Sequence, residues 1–288
     1  MKTLPVTHTD IMYNFAKIIE HMEYKDKNSG KYGKRRKSQI RANGKTTFLF
    51  LISVVFVGIT YSQFKRNGQT YNPDGIEMVY VEGNGSSIKG FYIGKYEITQ
   101  KEWTAVMGDN PSENKGDNLP VERVSWDDVQ EFIRRLNQKT GRNYRLPTDA
   151  EWEYAAKGGP NNNTYEYSGS NNIDEVAWYT GNSVVATHNI GEGAWALIIS
   201  DIATHTVGTK KPNSVGIYDM SGNVWELCQD KCSYDNETKE IVVDEKGLDH
   251  VCRGGGCYDY APTCRIAFRD NSPTWHIGGD LGFRVALP

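Results

Sequence analysis

The chain's 288 residues suffice for one large domain plus an extension. Hydrophobic content of 38%, with 29 glycines and 7 tryptophans, excludes a disordered chain and suits a loop-rich domain with an aromatic core. The net charge of −3 is unevenly spread: residues 1–62 hold 11 Lys/Arg against 4 Asp/Glu, and the remainder 22 against 32. That acidic remainder argues against a nucleic-acid partner and is compatible with cation binding.

Residues 10–23 place Ile11, Phe15, Ile18, Ile19 and Met22 on one helical stripe, fitting a short packed helix or one lying on a membrane. Residues 31–45 carry seven bases and no acid, and residues 48–61 are uncharged and apolar. We divide the start into a basic cytoplasmic leader (1–45), a signal peptide or single membrane anchor (46–62) and a linker (63–75). The main domain then spans 76–288. The basic flank keeps the leader inside and sends the domain out, to the periplasm or cell-envelope surface. It is either anchored there or secreted after cleavage near Thr60-Tyr61-Ser62.

Within the domain, Ile76 to Val81 and Phe91 to Thr99 read as strands. Thr99 with Glu102, Ser125 with Asp128, and Thr148 with Glu151 are capping boxes, each opening a helix. The second helix carries Val129, Phe132, Ile133 and Leu136 as a core-facing stripe and stops at Gly141. Residues 161–212 break into loop, with strand-like pieces at Ala177-Trp178-Tyr179 and Thr206-Val207-Gly208. Residues 193–203 are apolar enough for an inserted short helix or a partner surface. Residues 235–249 form an acidic excursion, and residues 281–287 a closing strand. His188 and His205 could bind a metal, although a lone loop histidine is more often a bystander.

The most informative stretch is Gly216-Ile-Tyr-Asp-Met-Ser-Gly-Asn-Val-Trp-Glu-Leu-Cys228. Its Ser221-Gly222-Asn223 is a tight-turn signature, since Gly and Asn accept positive φ. Such a turn returns Asp219 toward Glu226 and leaves carbonyls pointing inward, an oxygen set suited to calcium. A buried hairpin with solvated carboxylates fits the same spacing. All five cysteines (Cys228, Cys232, Cys252, Cys257, Cys264) lie in the last quarter, which in an exported chain points to disulfides with one thiol spare. A thiolate metal site at Cys228, Cys232 and Cys257 is the minority reading.

This stretch resembles the signature of the formylglycine-generating enzyme (sulfatase-modifying factor) family. So do residues 75–83 (GIEMVYVEG), 91–103 (FYIGKYEITQKEW), 144–156 (YRLPTDAEWEYAA), 253–256 (RGGG), 264–269 (CRIAFR) and 281–287 (LGFRVAL). The resemblance covers roughly residues 75–288 and implies an α+β, C-type-lectin-like, loop-rich fold. It implies one calcium ion held by Asp219 and Glu226 with the carbonyls of Gly222 and Val224, and a disulfide between Cys228 and Cys264. A second family calcium site near Val176-Ala177 is not supported by its residues.

Family enzymes oxidise a sulfatase cysteine with dioxygen through two cysteines five positions apart, which can bind copper. Counted without gaps from Gly254-Gly255, the first of these positions is Asp259 and the second is Cys264. A carboxylate cannot replace a thiolate in soft-metal binding or thiol exchange. The sequence therefore implies a calcium-stabilised, non-catalytic binding or scaffold module for a peptide, protein or glycan in the cell envelope. Tyr258, Asp259, Tyr260, Trp275 and His276 would face that ligand, although the aromatics could equally complete the core. The rival is a formylglycine-generating oxidase with Cys257 and Cys264 forming a rearranged copper site. A related non-haem iron oxygenase is a third reading, but no His/His/carboxylate grouping is legible.

Overall fold

The computed structural model describes residues 67–190 and 197–288. The expected helix at 10–23, the basic leader and the apolar segment 46–62 lie outside the described residues, as do residues 193–196. No helix among the described residues is long and apolar enough to cross a membrane.

Short strands form two main sheets. In the first, β1 (Thr70–Tyr71), β2 (Met78–Val81), β3 (Phe91–Gly94) and β11 (Ala286–Leu287) pair antiparallel in that order. The first sheet thus takes in part of the expected linker, because Thr70 and Tyr71 pair with Val79 and Met78. In the second sheet the order is β10 (Leu281–Gly282), β6 (Trp225–Asp235), β8 (Asp249–Arg253), β9 (Arg269–Pro273), with β7 (Glu240–Val243) also on β6. β10 runs parallel to β6 and the other pairs are antiparallel. The acidic excursion is therefore the β6–β7 hairpin.

The three capped helices are α1 (Gln100–Met107), α2 (Trp126–Thr140) and α3 (Asp149–Ala156), each with both arms of its capping box formed. α1 and α2 end on Gly108 and Gly141 in left-handed conformation, where glycine carries no Cβ penalty. The α2 stripe is buried as expected. Phe132 stacks on Trp103 at 5.3 Å and meets Phe283 edge-on, so α1, α2 and the end of the chain share one core. A second core gathers Trp152, Phe91, Ile93, Ile217, Met220 and Val251.

Three expectations change. Residues 281–287 are not one strand: β10 pairs with the second sheet and β11 with the first, so this stretch crosses between the sheets. Residues 197–202 are not helical but form β5 (Leu197–Ile202), a hairpin partner of β4 (Val184–Ile190). Ile198, Ile199 and Ile202 are β-branched and favour the extended chain. At 177–179 there is only an isolated bridge from Trp178 to Gly222 after a single turn, α4 (Ile173–Val176), and Thr206-Val-Gly is a turn.

Candidate functional site

The site is built on the turn at residues 219–226. Asp219, Gly222 and Asn223 have φ of 56°, 77° and 65°, as its signature requires. A Cβ on Gly222 would lie 2.2 Å from the Trp178 carbonyl, so only glycine fits. Asn223 ties the turn down: its N–H donates to Trp178 O (2.7 Å), and its Nδ2 to Glu97 Oε2 (2.7 Å) and His205 O (3.2 Å). The Val224 N–H donates to the other Glu97 oxygen at 3.1 Å. His205 stacks on Trp178 at 3.8 Å.

Glu226 is fully buried and committed. Arg284, also fully buried, reaches both its oxygens at 2.6 Å, and Trp152 Nε1 donates to Oε2 at 2.7 Å. The same guanidinium donates to Gly94 O and Tyr218 O. Asp219 accepts the Gly208 N–H at 2.6 Å. Burial pushes Asp219 up to about 6 and Glu97 well above the usual carboxylate range, the neighbouring carboxylates adding to the effect on Glu97. Burial opposes the charge on Arg284, yet Glu226 holds its pKa above the ordinary value.

This geometry does not fit the expected calcium ion. Of Asp219, Gly222, Val224 and Glu226, the glutamate has both oxygens taken by a guanidinium and an indole N–H. A divalent cation there would face Arg284, whose guanidinium already pairs with Glu226. Among the described residues, no group of three or more His, Cys, Asp or Glu side chains is placed to hold a metal ion.

The glycine loop lies directly on this turn. Gly222 N–H donates to Gly254 O and Cys257 N–H to Asn223 O, both at 2.9 Å. Gly254 and Gly255 take φ of 94° and 72°, and a Cβ on Gly255 would stand 2.8 Å from Cys264 Sγ. Asp259, at the position expected for a reactive thiol, folds back to accept the Gly256 N–H at 2.9 Å. Cys257 and Cys264 are free, fully buried thiols. Burial first, and then nearby carboxylates, push Cys264 up to about 12 and raise Cys257 further, so neither is a thiolate at neutral pH.

The Cys228–Cys264 disulfide is not present, and all five cysteines are free. Cys228 packs in the second core with Cys232 and Val251, whereas Cys264 packs with Tyr167 and Val176. A shared family segment does not bring two sulfurs together.

Outside the loop stands an aromatic rim. Tyr260 and Trp275 are 76% and 75% exposed, Ile277 55% and Tyr258 44%, so these side chains do not complete the core. Trp275 meets His276 edge-on at 6.3 Å. Asp280 sits beneath: a Cβ on Gly256 would lie 2.1 Å from its Oδ2, and the Tyr258 N–H donates to its carboxylate. Burial, then Asp259, pushes Asp280 up to about 6. A separate cavity of about 550 Å³, lined by Asp74, Ile76, Glu77, Lys101, Val106 and Lys139 among others, shares no lining residue with this rim.

Sequence reasoning missed Glu97, Glu122 and Arg284. Each is a charged residue inside or beside an apolar run, the signal that could have marked them as buried.

Comparison with known proteins gives a consistent picture. Residues 68–288 match the sulfatase-modifying factor enzyme 1-like domain. The chain is 36% identical over 282 residues to the chaperone protein LppX of Paenibacillus barcinonensis, covering 82% of this chain and 97% of LppX. It is 33% identical over 176 residues to the formylglycine-generating enzyme of Streptomyces coelicolor, covering 59% of this chain and only 52% of that enzyme's length. Among solved structures, Treponema denticola variable protein 1 aligns with a TM-score of 0.59 and 26% identity over 76% of this chain and 98% of its own. PvdO from Pseudomonas aeruginosa aligns with a TM-score of 0.56 and 23% identity over 77% and 98%, a likeness of fold. The chain belongs to the formylglycine-generating enzyme, or sulfatase-modifying factor, family.

Proposed function

We propose that this chain is a non-catalytic binding module for a protein or peptide. It uses the Tyr258–Tyr260 loop and the 275–280 segment as its ligand-facing rim. The observation that carries this reading is Asp259, a carboxylate bound to its own loop where family enzymes place a reactive thiol. With a carboxylate at that position, the five-residue cysteine pair that binds copper in family enzymes is reduced to Cys264 alone, and Cys257, seven positions from it, is buried. Similarity to a protein described as a chaperone, over nearly that protein's whole length, favours a polypeptide ligand over a glycan. We also propose that the domain works outside the cytoplasm, on the strength of the basic-then-apolar order of residues 31–62.

The test is incubation of the purified chain with copper and a sulfatase-type Cys-x-Pro-x-Arg peptide, reading the peptide thiol by mass spectrometry. The expected result is an unchanged thiol. Asp259→Cys, which recreates the five-residue spacing to Cys264, is expected to gain Cu(I) binding that the unaltered chain lacks. Thiol loss with the unaltered chain would establish an oxidase instead.

A further inference from the structure

We infer that the cavity of about 550 Å³ beside α1 and α2 binds a small carboxylate with an apolar body, such as a medium-chain fatty acid, its charge received by Lys101 and Lys139. This site is separate from the aromatic rim and does not rest on the binding-module reading. Its volume falls within the ~300–1,000 Å³ usual for small-molecule sites, and its walls likewise combine apolar surface with a few polar groups. Ile76 and Leu136 are buried parts of the wall, and Val106, Val207 and Tyr96 are half-buried around it. Such a wall lets an aliphatic chain leave water.

The charges lining the cavity divide by whether the fold already gives them a partner. Asp74 is held by Arg142 Nε at 2.7 Å and by the Tyr144 hydroxyl at 2.8 Å. Glu77 pairs with Lys95 at 3.0 Å. Glu102 closes the α1 capping box, its Oε2 accepting the Thr99 N–H and hydroxyl, both at 2.8 Å. Lys101, by contrast, is exposed and forms no ion pair among the described residues; Glu102 feels it only as a nearby charge. Lys139 gives one donor to Ala105 O at 3.1 Å, and an ammonium has three.

These two ammoniums stand on one flank. Lys101 and Ala105 are four residues apart on α1, hence on the same helical face, and both line the cavity. Lys139, in the last turn of α2, reaches across to the Ala105 carbonyl and so joins Lys101 along that face. An entering cation would meet carboxylates that already have partners. An anion meets two ammoniums with donors to give, and a carboxylate between them makes charge-assisted hydrogen bonds while its chain covers Ile76, Leu136 and Val106.

The test is calorimetric titration of the full chain with decanoate, decanol and decyltrimethylammonium, which share one alkyl length and differ in head-group charge. Decanoate is expected to bind at one per chain and at least ~10-fold tighter than decanol, the size of a charge-assisted contact. That advantage should shrink as salt rises, since both lysines are exposed. Lys101→Gln with Lys139→Gln is expected to erase the difference between decanoate and decanol. Lys101→Gln alone, which leaves the Lys139–Ala105 contact intact, should reduce it and keeps the test open if the double variant fails to fold. Ala105→Trp, at an exposed position on the wall, is expected to fill part of the cavity and weaken both ligands. Decanol binding as tightly as decanoate, or decyltrimethylammonium binding tighter, would overturn the charge assignment. Decanoate binding that survives Ala105→Trp unchanged, or no decanoate binding at all, would overturn the site.

Discussion

At the scale of single residues, the Glu226–Arg284 pair shows how this chain assembles its centre. Both side chains are fully buried, 58 positions apart, and joined by two contacts of 2.6 Å. Removing one partner strands the other's charge in the core, which costs about 3–5 kcal/mol. Glu226→Leu and Arg284→Met are each expected to lower stability by that amount in urea unfolding. The double variant should recover a large part of the loss, because it leaves no uncompensated charge. Additive losses would mean the pair is not coupled. The sequence displayed Glu226 and its turn plainly, through Gly222, Asn223 and alternating apolar residues. It did not show that the partner was Arg284 or that Glu97 would hold the Asn223 amide, since both contacts depend on tertiary approach.

At the scale of elements, legibility follows how local the controlling physics is. The capping boxes at Thr99, Ser125 and Thr148 satisfy helix N–H groups within three residues, so sequence and structure agree on where each helix begins. At α2, Ser125 Oγ accepts the Asp128 N–H at 3.2 Å, and the Asp128 carboxylate accepts the Ser125 N–H at 2.9 Å. Ser125→Ala is expected to cost about 1 kcal/mol, read as a lower urea midpoint with an unchanged m-value. Ser125→Thr should cost much less. The β4–β5 hairpin was missed because residues 197–202 lack an alternating pattern and gain strand form only through pairing with β4. Cysteine pairing was misread for the same reason: a bridge needs two sulfurs in one packed cluster, and Cys228 and Cys264 occupy different ones.

At the scale of the whole molecule, the end of the chain links the two sheets. β10 adds to β6 in parallel and β11 closes on β3, and Arg284 lies between them, donating to Gly94 O at 2.9 Å as well as to Glu226. An internal cation therefore fastens the turn to both sheets. A calcium site occupied at a hundred times its Kd would contribute ~2.7 kcal/mol, which for a domain of this size raises Tm by about 5–10 °C. Thermal unfolding in excess calcium and in excess chelator is expected to give the same Tm. Arg284→Met should melt lower in both buffers, with the loss not restored by calcium. A chelator-induced fall of several degrees in the unaltered chain would show that an ion, and not the guanidinium, balances Asp219, Glu97 and Glu226.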